Sequence, residues 1–165
     1  MDAGLGPLAA ALSPHNALIP LAPGSWGEVV PALIAAAAFP EPVDREALAA
    51  RIWEREQMSS TSTVEGVAFL HTARWERRAL VGTNLFAIGR LPARIAFGSI
   101  DDAPADLLFL LLARDPRDQL SMLAGAAGMS RIPGFLAGIR AASSGAEVVE
   151  LVRRVEASLP VEQES

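Results

Sequence analysis

The chain has 165 residues, 51% of them hydrophobic, which is long enough for one domain with a substantial core. It has no Cys, so neither disulfides nor a thiolate metal site are available, and a reducing cytoplasm suits it. A net charge of −5 and a pI near 5.0 argue against a nucleic-acid partner and favour a basic protein; all 14 basic residues are Arg, which excludes a phosphate loop of the Walker type with its Lys.

Residues 1–11, MDAGLGPLAAA, are broken by Gly and Pro and read as a flexible N-terminal segment or a frayed helix. An acid at position 2 and the lack of a basic n-region argue against a signal peptide. The apolar runs 29–39 and 107–113 are too short to cross a bilayer, so a soluble cytoplasmic protein without membrane insertion is expected. His15, in the turn SPHN, reads as a surface residue, and Ala17 to Leu21 as an edge strand or packed coil.

Ser25 and Glu28 form a capping box that opens a helix to about Phe39, with Pro31 able to bend it or move its start. Asp44 caps a second helix over about 45–57. On it Leu48, Ile52 and Arg55 share one stripe, which turns the Arg55 guanidinium toward the protein body. Trp53 and Trp75 are assigned no chemical role. Ser59 to Thr63 form a hydroxyl-rich loop, because Ser and Thr compete for local backbone bonds.

The run VAFL, 67–70, is a short buried strand, and His71 sits where it emerges. An imidazole is largely unprotonated near neutrality and can take a phosphoryl group without prior activation. A guanidinium beside it can hold the phosphoryl oxygens as their charge grows. His71 and Arg55 are therefore a candidate phosphohistidine site. Arg74, Arg77 and Arg78 follow, as a solvated loop or as a basic patch that attracts a phosphoryl-carrying partner.

Strands are predicted over 80–88 and 93–98, and LLFLLLA reads as a central strand covered on both faces. Asp101, Asp102 and Asp106 are given turn and capping roles in preference to metal binding. Asp115 and Pro116 start a helix to about Ala127, a further helix covers 132–141, and Ser144 with Glu147 opens a last one to about Ala157. The tail, 158–165, should be mobile. Strands interleaved with helices give an α/β fold, with one domain over 12–157.

The stretch from Arg55 to Arg74 resembles the enzyme IIA domains of the phosphoenolpyruvate-dependent phosphotransferase system, in the class serving fructose, mannitol and nitrogen regulation. The matching residues are Arg55, Glu56, Ser60, Thr61, Gly66, Ala68 and His71. IAFGSIDDAPADLLFLLLA and LSPHNALIPL extend the resemblance to about residues 12–155. It implies a mixed five-stranded sheet flanked by helices on both faces. It also implies a phosphocarrier in which His71 accepts a phosphoryl group from the histidine-containing carrier protein HPr or a nitrogen-branch paralogue. Arg55 would stabilise the charge, and the group would pass to a IIB component or stay as a regulatory mark. No metal or organic cofactor is implied. By the same resemblance Thr61 orients His71 or bonds the phosphoryl group; a turn held by its own hydroxyls is the other reading.

Two positions depart from the family pattern. Leu70 stands where a Pro usually precedes the active His, and Gln119 stands where many members carry a second His. Gln119 can donate a hydrogen bond but carries no titrating charge. These departures motivate a second expectation, a IIA-like interaction module that no longer cycles phosphate. A domain without a fused IIB or membrane part leans toward the nitrogen-regulatory branch. No G-x-S-x-G elbow supports a Ser-His-Asp hydrolase.

Overall fold

The computed structural model describes residues 5–21, 26–63, 65–72, 81–96 and 103–160. The expected cap at Ser25, the cluster Arg74, Arg77 and Arg78 with Trp75, the pair Asp101 and Asp102, and residues 161–165 of the tail lie outside them.

Strand β4, Ala105–Leu112, is apolar at every position but Asp106, and such a strand needs cover on both faces. It lies inside the sheet, antiparallel to β3 (Leu85–Ile95) on one side and parallel to β2 (Val67–Leu70) on the other; β1 (Ala17–Leu18) runs parallel to β3 at the far edge. Side chains alternate along β4, so Leu107, Phe109 and Leu111 enter one core and Leu108, Leu110 and Leu112 the other. The first core is closed by α1 (Pro7–Ala11), α4 (Pro116–Ser130), α5 (Phe135–Ala141) and α6 (Gly145–Ser158). The second is closed by α2 (Trp26–Ala36) and α3 (Arg45–Met58).

The expectation of five strands is corrected to four among the described residues. Within the described residues the strands predicted at 80–88 and 93–98 fall on one strand, β3 (Leu85–Ile95), and its interruption is local. Pairing with β4 runs from Leu85↔Leu112 to Arg90↔Leu107, breaks, and resumes at Ile95↔Ala105. Pro92 lies inside the break, where a residue without an N–H cannot serve the ladder.

Helix starts follow the sequence closely. Asp44, Asp115 and Ser144 accept from the N–H groups of Ala47, Asp118 and Glu147 at 3.0, 2.8 and 3.2 Å. Pro31 is retained inside α2. The helix expected at 132–141 begins only at Phe135, because Gly134 adopts φ 88°, a left-handed conformation that ends the turn after α4. Part of the segment expected to be loose or a frayed helix is an ordered helix. Residues 7–11 form α1, Leu8 is fully buried, and the N–H groups of Leu8 and Ala9 donate to the Glu156 carboxylate at 2.9 and 2.8 Å. Two arginines close helix C-termini: Arg45 donates to the carbonyls of Ile34 and Ala37, and Arg90 to those of Ile139, Arg140 and Ala142. Asp106, expected in a turn or cap, is instead in β4 and pairs with Arg140 at 2.8 Å. No single helix among the described residues is long and apolar enough to cross a membrane.

Phe109 is the hinge of the larger core. It is fully buried and meets Phe69, Phe86 and Phe135 edge to face, with centroids 5.7, 5.5 and 6.3 Å away. Phe109→Ala is expected to lower unfolding free energy by about 3–5 kcal/mol, read from the shift of the urea midpoint.

Candidate functional site

Parallel strands β2 and β4 end at the same side of the sheet, since Leu70 pairs with Leu110. His71 is the next residue after β2, and α4 begins shortly after β4, so both follow their strands at this end. The carboxyl ends of parallel strands are where α/β sheets place their sites.

His71 is buried, with 8% of its surface exposed. Its Nδ1 lies 2.8 Å from the Phe69 carbonyl. A carbonyl only accepts, so Nδ1 carries the proton in this bond and Nε2 keeps the lone pair. Burial pushes the His71 pKa below its ordinary value; the Phe69 carbonyl favours the protonated ring and opposes this, while the Arg55 charge adds to the lowering. The ring is therefore neutral at neutral pH, with Nδ1 as donor and the lone pair left on Nε2.

Arg55 is half-buried on the last turn of α3 and donates to the Ser59 carbonyl at 3.0 Å. Its charge reaches both His71 and Glu56. The stripe of Leu48 and Ile52 continues in space to Glu56, which is 5% exposed, while Arg55 flanks it. Residue-by-residue reading of the helix missed this. The expected stripe of Leu48, Ile52 and Arg55 is corrected to the i, i+4 series 48, 52, 56, which was the available signal.

The Glu56 carboxylate accepts from the Ser60 hydroxyl at 3.1 Å, the Thr61 N–H at 2.8 Å and the Thr61 hydroxyl at 2.9 Å. Burial raises its pKa, against the lowering effect of these bonds and of Arg55. Thr61 Oγ1 in turn accepts from the Phe69 N–H at 2.9 Å. The Thr61 proton is thus committed to Glu56 while its oxygen secures the strand that leads to His71. Gln119, in the first turn of α4, donates to the Leu111 carbonyl at 3.0 Å, and its amide has a second N–H to offer. Leu70, at the position of the family's Pro, is fully buried in the core beneath α2 and α3. Packing constrains the residue before His71 in place of a ring. His15 is exposed at a short 3₁₀ turn, Pro14–Asn16, as expected of a surface residue. No group of His, Asp and Glu suited to holding a metal ion occurs among the described residues.

The fold is shared with known proteins. The nitrogen regulatory protein IIA-Ntr from Neisseria meningitidis superposes with a TM-score of 0.77 at 21% identity, covering 89% of this chain and 99% of its own. IIA mannitol from Escherichia coli superposes with a TM-score of 0.69 at 18% identity, over 86% of this chain and 98% of its own. A complex of the Escherichia coli enzyme IIA for mannitol with its phosphorylated enzyme IIB aligns equally well, with a TM-score of 0.69 at 18% identity, over 86% of this chain and 96% of its own. No curated protein matches the chain by sequence. The family model for the phosphoenolpyruvate-dependent sugar phosphotransferase system, EIIA 2, matches residues 12–155. With nearly its whole length so matched, the chain belongs to the enzyme IIA family of that phosphotransferase system.

Proposed function

We propose that this protein is a phosphocarrier that accepts a phosphoryl group on Nε2 of His71. The observation that carries this reading is the hydrogen bond from His71 Nδ1 to the Phe69 carbonyl, which leaves Nε2 as the nucleophile. The donor is a phosphohistidine of an HPr-like carrier. The Nε2 lone pair bonds to phosphorus as the donor's nitrogen–phosphorus bond breaks, and the donor imidazole leaves with that electron pair. Positive character then builds on the His71 ring, and the Phe69 carbonyl faces its Nδ1–H. Arg55 neutralises charge on the phosphoryl oxygens during transfer, where a forked guanidinium has the most effect. Gln119 supplies a neutral donor, and Thr61 supports His71 by orienting the strand before it. The group then passes to a IIB component or remains as a regulatory mark.

Met58 and Leu120 are the exposed large hydrophobics among the described residues, 61% and 64% exposed. They lie on α3 and α4, the elements that carry Arg55 and Gln119. Apolar side chains at these positions suit the docking of a carrier protein over the site. The absence of Cys fits a reducing cytoplasm. Leu70 and Gln119 support the second reading, an interaction module of the same fold without phosphate turnover.

Intact mass after incubation with phosphoenolpyruvate, enzyme I and HPr, at alkaline pH, separates the two. One phosphate on the wild type and none on His71→Ala is the expected result; no phosphate on a folded wild type with cognate donors leaves the interaction module. Arg55→Ala should slow acceptance about a hundredfold by rapid-quench labelling, the scale of losing one preorganised charge donor. The lowered His71 pKa also has a signed consequence for stability. The unfolded chain takes up this proton at about pH 6.5 and the folded chain only below that. The contribution of neutral His71 is complete above pH 6.5 and is lost as pH falls toward its folded pKa. Urea unfolding of wild type and His71→Gln between pH 8 and 5 should show that loss in the wild type alone.

A further inference from the structure

We propose that Glu56 is a positioning residue for His71, acting through the Thr61 hydroxyl and the backbone of Phe69. The proposal rests on the reading of His71 as the phosphoryl acceptor and gives that site a component outside its reacting groups.

Glu56 is the buried acid of the described core, where a carboxyl group needs specific partners. Its partners are all in the 60–61 segment, and both of its oxygens accept from them. Thr61 has one hydroxyl proton. Because Glu56 takes it, the oxygen's lone pairs are left for the Phe69 N–H. A carboxylate thereby sets the direction of the hydroxyl, which an amide of the same shape could reverse.

Among the described residues strand β2 has β4 along one side only, and Phe69 lies on it with its polar groups engaged away from β4. Its N–H is pinned by Thr61 and its carbonyl receives His71 Nδ1–H. The two groups belong to different peptide units, so the coupling is one of position: fixing the nitrogen side of Phe69 fixes where its carbonyl points. That carbonyl decides which imidazole nitrogen keeps its lone pair. The Ser60 and Ser62 hydroxyls, 2.8 Å apart, brace the same loop. Another loop bond, from the Thr63 N–H to the Val67 carbonyl at 2.8 Å, holds the start of the strand and does not depend on Glu56. Glu56 therefore acts on the end of β2 nearest the site.

The test uses the full chain labelled with nitrogen-15 in histidine, with long-range proton–nitrogen correlation spectra at pH 8 and phosphoryl acceptance from HPr measured alongside. Wild-type His71 should show a protonated Nδ1 and a bare Nε2, and exposed His15 serves as the internal control. Glu56→Gln should bring a measurable share of the Nε2–H tautomer at His71, leave His15 unchanged, and slow acceptance about tenfold, the scale of losing an orienting partner of a reactive imidazole. Thr61→Val, which removes the link itself, should give the same two changes and carries the test if Glu56→Gln does not fold. A folded variant in which either the tautomer or the rate stays at its wild-type value overturns the proposal. A wild type that takes no phosphate, with variants that still switch tautomer, overturns the carrier reading and retains the link between Glu56 and His71.

Discussion

Burial of β4 on both faces is the constraint from which the architecture follows. A strand reading ADLLFLLL cannot face water on either side, so helices must close over both. The chain meets this unequally, with α2 and α3 on one face and α1, α4, α5 and α6 on the other. β4 also needs a strand along each edge to satisfy its backbone, and the short β2 serves as one of them. Among the described residues β2 is then itself an edge.

An edge strand exposes polar backbone groups that something must occupy. Here the occupants are side chains and loop groups of the site. Thr61 takes the Phe69 N–H, His71 gives its proton to the Phe69 carbonyl, and Thr63 donates to the Val67 carbonyl. The fold and the proposed chemistry therefore share the same atoms. The hydrogen bonds that finish the sheet also orient the imidazole, which explains why a hydroxyl-rich loop precedes this strand where a regular hairpin partner could have stood.

Much of this was legible in the residues. Caps at Asp44, Asp115 and Ser144 announce helices because they act over three residues, and β4 announces itself by continuous apolarity. The helical stripe brought Arg55 within electrostatic reach of His71, although Glu56 and not Arg55 takes the buried position on it. What escaped depended on partners distant in the chain. α1 looked loose because the group that ties it, Glu156, is almost the whole chain away. β3 was divided in two because Pro92 breaks a ladder locally while the strand continues on both sides. Glu56 stood in the sequence only as a matching residue of the family motif, because its donors come from a loop whose path no periodicity describes.

The arginines that close α2 and α5 set a wider property of the molecule. Arg45 and Arg90 do work that other proteins often give to glycine or lysine. The sequence also lacks Lys, Tyr and Cys, so no side chain titrates between the imidazole and guanidinium ranges. Across several pH units on the alkaline side, the pattern of side-chain charge on this protein is constant. Its helix ends and its surface field are held constant together by composition.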